Sequence, residues 1–274
     1  MDNSNTMRVV HPDAKIGKDV EIGPFSYIDK NVVIGEGTWI GPNVTIFEGA
    51  RIGKNCKIFP GAVISGIPQD LKFKGEDTVA VIGDNTTIRE YVTVNRGTSY
   101  AHQTQVGSNC LLMAYVHVAH DCVLGDHVIL ANNVNLAGHV EIEAWAILEG
   151  LVAVQQFIKI GQHSFIAGGS LVRKNVPPYV KAAREPLSYA GVNTVGLRRR
   201  HFSTDQIEHI REIYRILYVR GYNTSHALQI IEDSLESTAE REHILSFIKD
   251  STNSDEQGIM RGLRHINGSN INED

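Results

Sequence analysis

The chain contains few cysteines, few aromatic residues and no long apolar run. Its 274 residues include three cysteines, and no two of them form a C-x-x-C pair. This set argues against a disulfide framework and favours a reducing compartment, so we expect a cytoplasmic protein. No run approaches the roughly 18 apolar residues that span a bilayer, and the start MDNSNTMRVV does not have the pattern of a signal peptide.

An excess of basic charge is also missing. The sequence has 26 Lys and Arg residues against 31 Asp and Glu residues, which gives a net charge of −5. Domains that bind nucleic acid usually present a basic surface, so we expect no nucleic-acid partner. The hydrophobic content of 42% is enough for a sizeable core.

What the sequence does contain is a six-residue repeat of aliphatic residues. Steps of six from Ile16 reach an isoleucine at every position up to Ile64. The same phase resumes at Ile82 and continues to Val172, and it fails at Asp70, Glu76 and Tyr100. A period of six is neither helical nor a simple strand alternation, but it is typical of hexapeptide β-helices, in which roughly 18 residues close one triangular coil.

We therefore predict an all-β left-handed parallel β-helix (hexapeptide repeats) over residues 1–180, with roughly nine coils, followed by a small α-helical C-terminal domain over 181–274. Glycines that follow many of the aliphatic residues are expected to ease the corner turns. The cysteines Cys56, Cys110 and Cys122 occupy the small repeat position, which predicts buried packing residues.

The C-terminal domain is predicted to hold three helices. Ser203 and Gln206 form a capping box for a first helix that stops at Gly221. Shorter helices are predicted over Thr224–Glu236 and Thr238–Lys249. The chain becomes polar after about residue 251, and its last residues, NGSNINED, have the composition of a disordered tail.

Two segments place polar residues where an inward aliphatic residue is due, at 67–78 and at 96–105. Such segments are expected to loop out of the coil, and loops on a rigid scaffold often carry function. A tolerated surface insertion is the alternative, especially for the second segment.

The stretch VHVAHDC indicates acid–base chemistry. His120 lies on the corner after the inward Val118, where side chains face outward, so a buried structural histidine is the less expected interpretation. With Asp121 beside it, His120 has what a general base needs, an imidazole that a carboxylate can orient. His117 lies on the same wall, and His139, one coil and one residue further on, should stack near His120.

The three histidines have two alternative interpretations. The histidines could be solvated and chemically idle, or the three could bind zinc as in hexapeptide-repeat carbonic anhydrases. That class needs two histidines five residues apart, and no pair in this sequence has that spacing. We therefore predict no metal.

Several motifs in one order resemble the bacterial UDP-N-acetylglucosamine O-acyltransferases that begin lipid A synthesis. They are QDLKFKGE, HVAHDC, NNVNLAGH, VPPYV and GVNTVGLRRR, and the match covers nearly the whole chain. Hexapeptide repeats alone are shared with other transferases and a carbonic anhydrase class, whereas the ordered motifs are far more specific. A related acyltransferase using a 3-amino UDP-sugar or acetyl-CoA, and a non-enzymatic scaffold, stay open as alternatives.

The resemblance implies transfer of an (R)-3-hydroxyacyl chain from acyl carrier protein to the 3-hydroxyl of UDP-N-acetylglucosamine, by direct attack. His120 would be the base, Asp121 would orient it, and the Gly138 N–H would stabilise the oxyanion. No resident cofactor is implied, because the acyl group arrives on phosphopantetheine. The family forms homotrimers with the cleft between subunits. A basic rim for the acidic carrier protein is expected at Arg173, Lys174, Lys181 and Arg184.

The resemblance also assigns substrate contacts. Those matching the sugar-nucleotide positions are Gln69, Asp70, Lys72, His117, His139, Gln156 and Asn193, and Arg199 and Arg200 are suited to the diphosphate. An ordinary solvated charge run is the alternative for the two arginines. Gly168 matches a position that limits acyl-chain length and predicts chains of roughly fourteen carbons or more, unless it only serves a turn. Gln155 and Asn95 depart from the family pattern, which commonly has histidine at both positions.

Overall fold

The computed structural model describes residues 7–253 and 258–262, and it confirms the predicted fold: a left-handed parallel β-helix followed by a small helical region. The strands are β1 (Val9–Val10), β2 (Lys15–Ile16), β3 (Glu21–Ile22), β4 (Tyr27–Ile28), β5 (Val33–Ile34), β6 (Trp39–Ile40), β7 (Thr45–Ile46), β8 (Ala50–Ile52), β9 (Lys57–Ile58), β10 (Val63–Gly66), β11 (Val79–Ile82), β12 (Thr87–Ile88), β13 (Thr93–Asn95), β14 (Gln103–Val106), β15 (Leu111–Leu112), β16 (His117–Val118), β17 (Val123–Leu124), β18 (Ile129–Leu130), β19 (Asn135–Leu136), β20 (Glu141–Ile142), β21 (Ile147–Leu148), β22 (Ala153–Val154), β23 (Lys159–Ile160), β24 (Phe165–Ile166), β25 (Leu171–Val172), β26 (Val180–Ala183) and β27 (Ser188–Val192). The helices are α1 (Thr194–Arg199), α2 (Thr204–Tyr218), α3 (Thr224–Ser234) and α4 (Ala239–Asn253).

Successive strands enter three sheets in turn, and these sheets form the faces of a triangular prism. Sheet A runs from β1 to β25 and sheet B from β2 to β23 in steps of three, while sheet C runs from β3 to β24 and then adds β26 and β27. We call the corners where the chain passes between faces the A–B edge, the B–C edge and the C–A edge. Position within the 18-residue coil therefore decides which edge a corner residue occupies.

The core is the stack of inward aliphatic side chains that the repeat predicted. Ile28, Ile46 and Leu112, for example, have no exposed surface, and neighbouring coils place such residues directly over one another. Each fully buried aliphatic side chain contributes roughly 1.5–3 kcal/mol, which makes the regular stack the main source of stability. The three cysteines are buried and unpaired, as predicted.

The role expected for the repeat glycines was wrong. The left-handed corner conformation falls mostly on other residues, such as Asn109, Asp121 and His127, with φ of 57°, 59° and 59°. A side chain at Gly107 would meet the backbone of the next coil at 2.5 Å, and one at Gly35 would do the same. These glycines are needed because stacked coils approach closely there, not because the chain turns.

The two polar segments leave the coil at the A–B edge. His117 pairs with Asn135, which is 18 residues later, but Val63 pairs with Thr93 after 30 residues and Thr93 with His117 after 24. The additional 12 and 6 residues form the loops, and whole hexapeptides are inserted, so the phase is retained. The second loop is shorter than predicted and ends at 102, because β14 pairs with β11 from Gln103 onward.

The chain leaves the coils through an extension of sheet C. Strand β26 pairs parallel with β24, and β27 returns antiparallel to β26, so the segment after VPPYV adds to the sheet before the helices begin. The division of the chain into domains at residue 180 stays a prediction.

The helices follow the predicted order, with one addition. The capping box of Ser203 and Gln206 begins α2, which ends at Tyr218, slightly before the predicted stop. Helix α3 ends two residues earlier than predicted, α4 extends four residues further, and the short α1 was not predicted. No described helix combines the length and apolar character needed to cross a membrane. The predicted tail NGSNINED lies outside the described residues.

Candidate active site

Both loops and three successive coils enclose a cleft on the A–B edge. Its volume is about 740 Å³, and its walls come from the two loops while the coil corners form its floor. The lining residues are Gln69, Asp70, Leu71, Lys72, Phe73, Glu76, Thr98, Ser99, Tyr100, His120, His139, Gln156 and Phe157. The structure therefore brings together six of the predicted site residues, Gln69, Asp70, Lys72, His120, His139 and Gln156.

His120 and Asp121 form a hydrogen-bonded pair at the floor of the cleft. His120 follows β16, and the left-handed backbone of Asp121 turns the carboxylate back towards the imidazole. Nδ1 of His120 lies 2.7 Å from Oδ2 of Asp121. An ionised carboxylate can only accept, so Nδ1 carries the proton and Nε2 keeps its lone pair. This tautomer is the one a general base requires.

The environment of Asp121 keeps its carboxyl group ionised. Burial alone would raise the pKa of Asp121, but hydrogen bonds from Thr98, His120 and Ala101 outweigh burial and hold the pKa below its usual value. The side chain has no exposed surface. A buried carboxylate that remains charged can orient His120 and stabilise the imidazolium that forms when the base takes a proton.

His139 stacks beside His120, as the sequence predicted. The two ring centroids are 5.0 Å apart and the rings are nearly perpendicular. Phe157 stacks on the opposite side at 4.4 Å, and Tyr100 makes an edge contact at 4.5 Å. Burial lowers the pKa of His139, and the nearby Asp121 carboxylate offsets only part of this effect. A neutral His139 can therefore donate or accept a hydrogen bond in the cleft.

Gly138 lies against the imidazole of His120. A Cβ atom at this position would stand 2.6 Å from Cε1 and 2.8 Å from Nε2 of the ring, so only glycine fits. Among the described residues, no backbone carbonyl accepts from the Gly138 N–H. An N–H next to the predicted base is suitably placed for an oxyanion formed at the same point.

The sequence expectation that His120 and Asp121 would face outward was wrong in one respect. They are 8% and 4% exposed, because the excursion loops cover this corner and leave only the cleft open.

His117 lies on sheet A next to the cleft rather than in its lining, with Nδ1 at 2.7 Å from the Thr93 hydroxyl oxygen. Burial lowers the pKa of His117, and His120 lowers it further.

The predicted diphosphate and sugar contacts near α1 lie on a different edge. Asn193 caps α1 by accepting from the Gly196 N–H, and its amide donates to the His163 carbonyl, so its side chain has a structural role in the single chain. Arg200 lies over the Trp145 ring at 5.1 Å on the B–C edge, and Arg199 is exposed. The single chain does not bring these three residues into the cleft.

Gly168 lies on the remaining C–A edge. It is exposed, and its N–H donates to Glu149 Oε2 at 3.2 Å. The left-handed turn at this corner falls on Gly169, with φ of 70°, and not on Gly168. The interpretation as a turn glycine therefore fits Gly169 and not Gly168. The role of Gly168 in limiting acyl-chain length stays a prediction.

Three potential metal ligands lie close together at the cleft. His120, Asp121 and His139 each offer one atom, all within 4.8 Å of one another. The Asp121 oxygens already accept bonds from Thr98, Ala101 and His120. A carboxylate saturated with hydrogen-bond donors is arranged to orient the histidine rather than to coordinate a cation.

Sequence reasoning missed seven residues of the cleft lining, and three of them, Thr98, Tyr100 and Phe157, contact Asp121 or His139. The break in phase at Tyr100 marked the loop as unusual but did not indicate which of its side chains point at the histidines. Phe157 lies two residues after Gln155, the position that differs from the family pattern. It occupies the same corner position as His139, one coil later.

Comparison with known proteins agrees with this site. The family description "UDP N-acetylglucosamine O-acyltransferase; Domain 2" matches residues 175–260, and the bacterial transferase hexapeptide family matches 103–138. A further match, to the GMPPB C-terminal domain, covers 5–105. The first of these regions includes the helices, and the other two lie within the coils.

Full-length relatives are similar over most of the chain. An acyl-(acyl-carrier-protein)–UDP-N-acetylglucosamine O-acyltransferase of Burkholderia mallei is 39% identical over 199 residues, which are 72% of this chain and 76% of the relative. The crystal structure of a UDP-N-acetylglucosamine acyltransferase from Bacteroides fragilis is 49% identical, with a TM-score of 0.90 over 94% of this chain and 99% of that one. The enzyme from Francisella novicida is 42% identical, with a TM-score of 0.88 and coverage of 95% and 94%. The chain therefore belongs to the UDP-N-acetylglucosamine O-acyltransferase family of hexapeptide-repeat acyltransferases.

Proposed function

We propose that this enzyme transfers an (R)-3-hydroxyacyl group from acyl carrier protein to the 3-hydroxyl of UDP-N-acetylglucosamine, the first step of lipid A synthesis. The names of its relatives support the acyl donor and the acceptor. The observation that carries the mechanism is the His120–Asp121 pair, which leaves Nε2 as a free base at the floor of the cleft.

In the proposed mechanism, Nε2 of His120 takes the proton of the sugar hydroxyl while the oxygen attacks the thioester carbonyl. The carbonyl oxygen becomes an oxyanion, which the Gly138 N–H stabilises. When the intermediate collapses, the C–S bond breaks and the imidazolium returns its proton to the departing phosphopantetheine thiolate. The products are the O-acylated UDP-sugar and the free thiol of the carrier protein, and no acyl-enzyme is formed.

The proposed reaction uses no metal and no resident cofactor. Asp121 stabilises the imidazolium, and the acyl group enters already activated as a thioester. Gln69, Asp70, Lys72, His139 and Gln156 line the cleft and would contact the sugar nucleotide. The three unpaired cysteines fit a reducing compartment, and the proposal places the protein in the cytoplasm.

The acyl chain requires an apolar surface, and a row of apolar side chains on sheet C would supply it. Its outward positions on four successive coils are Leu111, Ile129, Ile147 and Phe165, which pair in register and are half-buried. Gly168 follows at the adjoining C–A edge. A ladder of aliphatic and aromatic side chains ending at a glycine is suited to a long hydrocarbon chain.

We propose that the protein is a homotrimer, and the distribution of these residues over three edges supports the proposal. The base lies on the A–B edge, Arg200 on the B–C edge, and Gly168 at the C–A edge, so one chain cannot bring them together. Packing of the A–B edge of one subunit against its neighbour would complete the site.

The acidic carrier protein would contact an exposed basic surface at the end of the coils, formed by Arg173, Lys174, Lys181 and Arg184. Of these residues, Arg173 already pairs with Glu185.

The function is tested by incubating the purified protein with hydroxyacyl carrier proteins and a panel of UDP-sugars, with products identified by mass spectrometry. We expect acylated UDP-N-acetylglucosamine. Preference for a 3-amino sugar would support the related acyltransferase instead, and turnover with acetyl-CoA alone would contradict the proposal.

The shared site is tested by mixing two inactive variants. Trimers formed from His120→Ala and Arg200→Ala chains would contain some intact sites if neighbouring subunits supply the two residues. We expect activity to return when the variants are unfolded and refolded together, but not when they are mixed as preformed trimers. If both residues acted within one chain, refolding together would restore nothing.

A further inference from the structure

The Asp121 carboxylate is held from two directions. His120 Nδ1 donates to Oδ2 at 2.7 Å, on the side of the cleft. From the other side, Thr98 donates twice, through its N–H to Oδ1 at 2.9 Å and through its hydroxyl to Oδ2 at 2.7 Å. The Ala101 N–H adds a longer bond of 3.2 Å to Oδ1. Among the residues that the structure describes, Thr98 alone bonds both carboxylate oxygens.

Thr98 is itself fixed by the loop. It is 6% exposed, its carbonyl accepts from the His102 N–H at 2.8 Å, and its hydroxyl also accepts from the Tyr100 N–H at 3.2 Å. These bonds close the loop into a tight turn around the carboxylate. The same turn places the Tyr100 ring against His139.

A second imidazole competes for the same carboxylate. Nδ1 of His139 lies 3.9 Å from Asp121 Oδ2, and it is buried without a hydrogen-bond partner among the described residues. A buried polar atom without a partner is costly, so a modest rotation of Asp121 towards His139 would be favourable for that nitrogen. In the structure the Asp121 carboxylate bonds His120 and not His139, so another contact must hold the carboxylate in this orientation.

We propose that Thr98 is a positioning residue, which locks the Asp121 carboxylate onto His120 and away from His139. Its hydroxyl and N–H fix the plane of the carboxylate, so that Oδ2 meets Nδ1 of His120 and Nε2 faces the cleft. This inference rests on the proposed function, because its consequence for turnover requires His120 to be the base. The arrangement of the hydrogen bonds does not depend on it.

The experiment compares Thr98→Val, which removes only the hydroxyl, with Thr98→Ser, which keeps it. Because the base is oriented less often in Thr98→Val, we expect kcat to fall on the order of tenfold with KM for both substrates nearly unchanged. Thr98→Ser should retain most of the parent kcat. Thr86→Val is the matched control, since Thr86 is also buried, donates its hydroxyl to the Gly107 carbonyl, and lies on the B–C edge.

Proton and nitrogen NMR of ¹⁵N-histidine-labelled protein gives a readout that needs no turnover. The His120 Nδ1 proton should resonate far downfield in the parent and in Thr98→Ser, and it should move upfield in Thr98→Val as the bond to Asp121 weakens. The charged or titratable groups that face this pair are His139, His117 and, through His139, Asp70, and none of them is altered in these variants.

Two results would overturn the inference. One is a Thr98→Val protein with the parent's kcat and an unmoved His120 resonance. The other is equal loss of kcat in Thr98→Ser and Thr98→Val, or in Thr86→Val, which would show that packing or stability and not the hydroxyl is responsible. If the parent protein has no acyltransferase activity while the resonance moves as expected, the proposed function fails and the positioning role stands.

Discussion

Gly138 and His120 are in direct contact, and the contact leaves no room for a side chain. A Cβ on Gly138 would lie 2.6 Å from Cε1 of the His120 ring, well inside van der Waals distance. One glycine is thus proposed to serve two purposes: it leaves room for the His120 imidazole against the coil, and its N–H would lie beside the reacting oxygen. This contact connects the close stacking of neighbouring coils with the proposed role of His120 as the base.

This contact predicts that Gly138→Ala will lose activity without losing the fold. The added methyl group must push the His120 ring off Asp121, so we expect kcat to fall on the order of 10²-fold or more. Steady-state kinetics and circular dichroism would measure the two effects. Gly150→Ala is the control, because a Cβ there meets only the Asn132 carbonyl oxygen, at 3.3 Å; equal losses in both variants would contradict the prediction.

Removal of the base is the second prediction. His120→Ala should lower kcat on the order of 10²-fold or more, because no other described imidazole is paired with Asp121 at hydrogen-bond distance. The oligomeric state measured by light scattering should not change. Near-normal turnover of this variant would refute the role of His120 as the base.

The third prediction concerns chain length. Gly168→Met should shift preference to acyl chains shorter by several carbons while activity is retained, since each buried methylene contributes about 0.8 kcal/mol. A Cβ at Gly168 meets the Gly150 carbonyl oxygen at 3.2 Å, a contact that small shifts can relieve. Competition assays with carrier proteins of different chain length would measure the preference.

The neighbouring glycine provides the control for that experiment. Gly169→Ala forces a side chain into the left-handed region, so it should lower the melting temperature and leave chain preference unchanged. If Gly168→Met also lost stability with no change in preference, Gly168 would have only a structural role.

Stability should depend on pH through His163. Burial, together with the charges of Arg200 and His243, lowers the pKa of His163 from 6.5 to about 4. The folded state therefore favours the neutral ring: its contribution is complete above pH 6.5 and is lost as pH falls towards 4. The loss is up to about 3 kcal/mol per chain.

His163→Phe should remove part of this dependence while keeping the ring that stacks between Trp145 and Tyr179. We expect its melting temperature to fall less than that of the parent between pH 7 and pH 5, with His117 and His139 accounting for what remains. Parallel melting curves for the two proteins would disprove the assignment to His163.

Metal removal is the last prediction. Dialysis against a chelator should leave activity unchanged, because every step of the proposed mechanism uses a protein group. Activity that disappears and returns with zinc would instead favour coordination by His120, Asp121 and His139.

The sequence by itself determined the coil, its phase and the residues inside it. Each hexapeptide makes the same local choice, an aliphatic residue inward and a left-handed corner, so one period read along the chain predicts every stacked layer. The same period correctly placed His139 beside His120, because corners one coil apart lie on one edge. The capping box of Ser203 was equally local and equally readable.

Only the tertiary structure decided what surrounds those histidines. The loops at 67–78 and 96–102 follow no period, and their contacts join residues such as Thr98 and Asp121, which are 23 positions apart. For the same reason, the sequence alone did not predict that Asn193 caps α1 or that Arg200 packs on Trp145, 55 positions away. A repeat fixes contacts between equivalent positions of neighbouring coils, whereas an aperiodic segment acquires its contacts only when the folded coils present a surface to it.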